Sequence, residues 1–515
     1  MRILKIAVKW GRGVALAIAA ASVLFAAAQP GFAANPRTSE ESNDKTSESS
    51  KGTGEPHETT RTRALDRVLS TKGLAGATVS ALVVRERDGA VLYQRAPDRL
   101  QIPASNAKIL TALAALDAFG PTHQFETELR AIEPVRGDGS ITHLYVRGAG
   151  DPAITNEGWW RLAAELREAG LTHVKGDLVL DDSHFDRVRW HPTVKGVSSR
   201  AYHAPVGALN ANYGSFAVTV RPGKKVGDPA LVIINPPTPY LELSNGGTTL
   251  GGKRRRTIVV DRKAGEQREV VTIRGGMRVG DKPKTYYRSV VHPERYAGAV
   301  LRMQLAAVGI RIDGVTRTGV APEAAEIFHS FKGKPMSDIV KLFMKYSNNG
   351  IAEALVKQMG AAATEGIGSW EAGVPEMRKR LIERGVDGSG FELVDGSGLS
   401  YHDRASPRAF VQALRAALKS FTWGPELLAS LPIAARDGTL TKRAEKAMDR
   451  ARAKTGLLNN VTGLSGLAHI RVPGREGVRE LVVFSVLAND CRQGDAAAMD
   501  GLDDFVALLA NGNSD

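Results

Sequence analysis

Apolar positions change period several times along this chain of 515 residues. The first stretch opens with Arg2, Lys5, Lys9 and Arg12 and continues as a charge-free apolar run from Val14 to Ala28. Small residues follow at Gly31-Phe32-Ala33, the form of a secretory leader cleaved after Ala33. The run is short for a membrane span of about 20 residues. Residues 1–33 are therefore expected to be removed, leaving an exported chain without a transmembrane segment. Residues 34–62 are rich in Ser, Thr, Glu and Lys and poor in aliphatic side chains, which predicts a disordered linker.

From Arg63 the pattern becomes globular. Thr62 to Ser70 has helical spacing. ATVSALVVRERDGAVLYQRAPD reads as two strands about an Asp88-Gly89 hairpin turn. IPASNAKILTALAAL, Ile102 to Leu116, is a polar entry to a helix with Ile109, Leu110, Leu113 and Leu116 on one face. Between Gly120 and Val300 strands are short and turns frequent, as in VRGDGS and SNGGTTLGGK. This predicts β-rich inserted material with little helix. Amphipathic helices return after Tyr296, and KTGLLNNVTGLSGLAHIRV and ELVVFSVLAND read as strands joined by VPGREG before a last helix. The expected organisation is one discontinuous α/β domain, residues 63–125 and 295–515, with residues 126–294 inserted.

Composition narrows the chemistry. The single cysteine, Cys491, excludes an intrachain disulfide and a cysteine metal cluster. The net charge is +14, and the densest basic run is Gly251–Lys263. No aromatic residues interleave with it to stack bases, so it reads as a charged edge strand and not a nucleic-acid site. Asp181, Asp182, His184 and His191 fit no standard zinc spacing, and neither a metal nor another cofactor is expected.

Three polar interruptions remain. Ser105 and Lys108 share a helix face as Ser-x-x-Lys. A lysine in a dry pocket beside a serine has a depressed pKa and can take its proton. Ser347 and Asn349 form Ser-x-Asn inside an apolar helical pattern, a hydroxyl to relay a proton and an amide to hold a substrate amide. Lys454-Thr455-Gly456 opens a strand, where Lys and Thr could grip a carboxylate and Gly456 could let a substrate backbone lie along the edge.

The three motifs in this order resemble the serine DD-peptidases that bind penicillin. About 240 residues separate Ser105 from Ser347, and this length is similar to the class C low-molecular-mass penicillin-binding proteins, peptidase family S13. RGAGDPAIT, GDLVLDDSHF, VDGSGLSYHD and LPIAARDGTL also look like segments of that family. The resemblance implies a penicillin-binding/β-lactamase-like transpeptidase fold of α/β (α+β) type, an antiparallel sheet flanked by helices with two β-rich inserted domains. It implies a periplasmic D-Ala-D-Ala carboxypeptidase and endopeptidase acting on peptidoglycan peptides, with β-lactams as covalent inhibitors. By the same resemblance Ser105 is the nucleophile, Lys108 its base, and Ser347 with Lys454 the proton relay to the leaving amine. Asn349 holds the substrate amide, and Lys454 and Thr455 bind the terminal carboxylate. Backbone N–H groups of Ser105 and Leu457 form the oxyanion hole, and Asp151 binds the free amine of the diamino acid or is a turn residue. Other readings are a β-lactamase-like hydrolase and a non-catalytic wall-binding scaffold.

Overall fold

Strands from the two ends of the chain meet in one antiparallel sheet. In the computed structural model, which describes residues 55–512 except 72, 473, 474 and 476, the strand order is Ala451–Leu458, Val461–Arg471, Arg479–Asn489, Thr78–Arg85, Val91–Arg95. The expected leader, most of the linker and part of the VPGREG turn lie outside the described residues. The hairpin forms as its sequence demands: Gly89 has φ 76°, and Asp88 accepts a hydrogen bond from the Ala90 N–H at 3.0 Å.

Period-two alternation splits the apolar side chains between two faces. Val79, Ala81, Val83, Phe484 and Val486 share a buried cluster with Leu65 of helix α1 (Glu55–Val68), with Leu69 just past its end, and with Leu502 and Phe505 of the last helix, α10 (Asp495–Asn511). Helix α1 starts inside the stretch read as linker. Buried Leu65 within it and Leu69 just past its end hold it on the sheet, and the helix extends upstream through polar residues. Leu82, Val84, Val483 and Leu487 face the other side. There lies α2 (Ala107–Phe119), buried from Ala107 through Leu116, as a helix apolar on all sides must be.

Separate sheets fill the middle of the chain, and their strands run past the expected 126–294. Strand Gln124–Ala131 leaves the helical domain and pairs with Glu326–Pro335, which returns to it, with Pro335 opposite Gln124. The two belong to a five-stranded sheet with Leu144–Arg147, Leu178–Asp181 and Thr316–Thr318. Three three-stranded sheets complete this part among the described residues, and Val259–Ala264 is an edge strand of one, as its basic flank suggested. Helices α3 (Asn156–Glu168) and α4 (Pro293–Ala307) belong here too, so the region is less purely β than expected. Tyr296, Val300 and Leu301 of α4 share the insertion's buried cluster with Leu129, Leu180 and Ile273. The helical pattern around Tyr296 forms α4, which packs with these strands and not with the later helices.

After Pro335 the chain forms α5 (Met336–Tyr346), α6 (Asn349–Thr364), α7 (Trp370–Glu383), α8 (Pro407–Lys419) and α9 (Gly424–Ser430). Helices α5 to α8 surround α2, and α9 packs on α5 and α8. None of the described helices is long and apolar enough to cross a membrane.

Candidate active site

Ser105 sits in a short 3-10 turn, Ala104–Asn106, that feeds α2. The preceding residue, Ala104, is held at φ 47°, in the left-handed region that a residue with a Cβ enters at a cost. Packing maintains it: an added Cβ at Gly398 would meet the Ala104 carbonyl at 1.9 Å, so the loop after Leu393 fits only as glycine there. Lys108 lies one helical turn on and is fully buried. Its Nζ donates to Ser105 Oγ at 2.9 Å, Asn349 Oδ1 at 2.7 Å and the Ser397 carbonyl at 2.6 Å. A solvated lysine beside a capping serine is thereby ruled out.

Burial lowers the Lys108 ammonium to about 8, against the opposing charges of Asp395, Glu353 and Asp403. These acids lie beneath the loop that carries Ser397. Glu353 accepts from Trp370 Nε1 at 2.7 Å, from the Gly396 N–H at 3.1 Å and from the Ser397 N–H at 2.9 Å. Asp395 accepts from the N–H groups of Gly398 and Ser400 at 2.6 and 2.8 Å. Burial raises Glu353 to about 7 and lifts Asp403 well above the carboxylate range, each aided by the charge of Asp395. The acids thus fix the carbonyl that grips Lys108 and set its field.

Ser347 ends α5 at φ 56°, and Asn348 then caps α6 by accepting from the Ile351 N–H at 3.0 Å. This turn aims Ser347 Oγ at Lys454, whose Nζ donates to it at 2.9 Å and to the Thr455 carbonyl at 2.7 Å. Lys454 is fully buried, and burial with the nearby charge of Lys108 pushes it well below the lysine range. The three sequence motifs therefore meet as two linked pairs, with Asn349 contacting Lys108. One Asn349 amide N–H goes to the Tyr202 carbonyl of the insertion at 2.8 Å. This orients Oδ1 toward the lysine.

Thr455 and Leu457 lie on the sheet's outermost strand, and Leu457 is 46% exposed. Thr455 Oγ1 donates a hydrogen bond to Thr439 Oγ1 at 2.8 Å. Gly456 also has a packing reason to be glycine. A Cβ there would lie 2.4 Å from Asn106 Nδ2 and 2.7 Å from the Pro103 carbonyl. The glycine lets the strand approach the Ser105 turn.

Asp151 is not brought into this group. It is buried, its Oδ1 accepts from the Ala153 N–H at 2.8 Å, and it lines a cavity with Arg161 and Lys334 that contains none of the motif residues. Burial raises it to about 6. Asp182 pairs with Arg189 at 2.6 Å, and Asp181 accepts from the Ser183 and Ala321 N–H groups. His184 bonds Gln358 and His191 bonds Thr193. These side chains have structural partners of their own. Sequence reading missed Thr439, Glu353 and Tyr202 as contributors. The first two lie in or beside segments already noted for their pattern, but nothing local says which atom they reach.

Comparison with known proteins identifies the family. Residues 61–512 match the model of the D-Ala-D-Ala carboxypeptidase 3 (S13) family. A D-alanyl-D-alanine carboxypeptidase of Actinomadura sp. is 35% identical, over 82% of this chain and 80% of its own. The D-alanyl-D-alanine carboxypeptidase DacB of Haemophilus influenzae is 26% identical, over 77% of this chain and 84% of its own. The crystal structure of penicillin binding protein 4 from Haemophilus influenzae superposes with a TM-score of 0.73 at 24% identity, covering 86% of this chain and 98% of the other. With the Ser105–Lys108 and Ser347–Lys454 pairs facing each other inside that fold, the chain belongs to the D-Ala-D-Ala carboxypeptidase 3 (S13) family.

Proposed function

We propose that this protein is a serine DD-peptidase that cuts the D-Ala-D-Ala bond of peptidoglycan peptides through an acyl-enzyme on Ser105, and that penicillin acylates the same hydroxyl. The observation that carries this reading is Lys108. A fully buried ammonium lowered to about 8, 2.9 Å from a serine hydroxyl, is a base poised for that proton.

Ser105 Oγ attacks the carbonyl of the penultimate D-Ala while neutral Lys108 takes its proton. The N–H groups of Ser105 and Leu457 receive the oxyanion. The substrate's terminal carboxylate lies against Thr455 and Lys454, with Thr439 holding the Thr455 hydroxyl. Two buried lysines in one pocket repel, so the arriving carboxylate favours the charged form of Lys454 and leaves Lys108 as the neutral partner. Ser347 passes a proton from Lys454 to the leaving amine, and Asn349 orients the substrate amide. Water then splits the ester. The same chemistry serves D-Ala–diamino-acid cross-links, which adds an endopeptidase activity. Peptidoglycan and the basic, apolar leader of residues 1–33 together support a periplasmic location.

Ser105→Ala is expected to abolish release of D-Ala from a pentapeptide while the circular dichroism spectrum and melting transition persist. Retained release in that variant would refute the nucleophile. A β-lactamase-like hydrolase would instead turn penicillin over rapidly, and a non-catalytic scaffold would release no D-Ala.

A further inference from the structure

The carboxylate end of the site opens onto a surface that this reaction does not use. Tyr346 and Gly438 are the chain neighbours of Ser347 and Thr439. Together with Lys334, Asp338, Lys341 and Lys345 they line a cavity of about 310 Å³. Asp338, Lys341 and Lys345 recur every three or four residues along α5 and so share one face. The end of the cavity nearest the catalytic groups is fixed. Lys345 Nζ donates to both carboxylate oxygens of Asp437 at 2.9 and 2.7 Å and to the Leu431 carbonyl at 2.7 Å. A Cβ at Gly438 would come 2.5 Å from the Lys345 carbonyl.

Lys334 also lines a second cavity of about 380 Å³, between α3 and strand Glu326–Pro335, with Asp151, Trp160 and Arg161. Lys334 lines both cavities, which therefore adjoin as a two-part groove. The groove runs from the neighbours of Thr439 along α5 and onto the insertion. Lys334 and Lys341 are exposed, and the ion pairs among the described residues include neither. Asp338 and Glu157 add negative charge at the rim. Two exposed rings, Tyr346 at 72% and Trp160 at 53%, flank the path. Separate positive and negative groups with aromatic faces suit an extended zwitterionic peptide better than a polyanion or an apolar helix.

We propose that this groove holds the stem peptide of the second strand when the bond cut is a D-Ala–diamino-acid cross-link, and so is a specificity site for endopeptidase cleavage. The inference rests on the serine DD-peptidase reading above. The leaving group decides the matter. When terminal D-Ala leaves, the group beyond the scissile nitrogen ends in a methyl and a carboxylate, and it ends at Thr455. When a cross-link is cut, the same C–N bond breaks, the nitrogen gains a proton, and water supplies the hydroxyl that releases the acyl carbon. The freed amine now belongs to a diamino residue whose peptide continues. That extra chain has to leave past Thr455 and Thr439, where the groove begins. Lys334 and Lys341 face its carboxylates, and the rings of Tyr346 and Trp160 cover its backbone.

The test compares two purified substrates, an uncross-linked pentapeptide muropeptide and its D-Ala–diamino-acid cross-linked dimer. The full-length protein, the double variant Lys334→Glu with Lys341→Glu, and Trp160→Ala are assayed for kcat and KM on each, and for the rate of acylation by benzylpenicillin. The double variant is expected to raise KM for the dimer about tenfold, and Trp160→Ala about threefold. Pentapeptide kinetics and penicillin acylation are expected to stay within about twofold of the unmodified protein, which also certifies the fold. Equal losses on both substrates, or no loss on the dimer, would overturn the inference. An unmodified protein that cuts the pentapeptide but not the dimer would also overturn it and leave the peptidase reading standing. Failure to cut either substrate, without acylation of Ser105, would remove the peptidase reading and this inference with it.

Discussion

Lys108 concentrates the chemistry of the site at the scale of single residues. Its three hydrogen bonds hold the ammonium in place, and burial lowers it to about 8. The sign follows directly. Below that value the amine is increasingly protonated and cannot accept the Ser105 proton; above it the free base dominates. Acylation by benzylpenicillin is therefore expected to rise about tenfold per pH unit on the acid side and to level off above pH about 8. Stopped-flow acylation rates across a pH range of roughly 5–10 check this. A flat profile would contradict it. Glu353→Gln adds a second readout. Glu353 titrates near 7, so it is negative where Lys108 titrates. Removing that charge is expected to move the Lys108 limb to lower pH. The new amide also faces backbone N–H donors, which lowers stability by about 1–3 kcal/mol. A stability loss with an unmoved limb would mean that Glu353 only holds the loop.

Elements meet at this site through close approaches that sequence motifs do not reveal. The outermost strand reaches the Ser105 turn only because Gly456 carries no Cβ. Helix α5 is tied to the loop before that strand by Lys345 and Asp437, and the same loop places Thr439 on Thr455. Thr439→Val keeps the shape and removes one hydroxyl. A neutral hydrogen bond contributes about 1 kcal/mol, so KM for the pentapeptide is expected to rise about fivefold. Penicillin acylation should slow similarly, because the drug also presents a carboxylate. Unchanged kinetics would show that Thr455 needs no partner. Ser105, Lys108, Ser347, Asn349 and Lys454 were legible in the sequence because each motif is a short local pattern with a chemical reason. Thr439 was quoted within LPIAARDGTL without a role, since its partner lies 16 residues away on another element. The packing role of Gly456 was hidden for the same reason: what it touches, Asn106, is remote in sequence.

For the whole molecule, the middle of the chain supplies part of the site. The Tyr202 carbonyl takes an N–H of Asn349 and thereby sets which amide atom meets Lys108. The sheet, the hairpin at Asp88-Gly89 and the buried α2 could be read from period and turn chemistry. The point where the insertion ends could not. It depends on Glu326–Pro335 pairing with Gln124–Ala131, about 200 residues apart, and on α4 joining a core that its own amphipathic pattern does not specify. The central claim is that this whole arrangement makes Ser105 an acylable nucleophile. The most direct measurement is the intact mass of the purified protein after incubation with benzylpenicillin, followed by peptide mapping. The account predicts one stable adduct of the drug's mass, located on Ser105 and absent from Ser105→Ala. A folded protein that gains no adduct and leaves the drug unconsumed, or one modified at another residue, would contradict it.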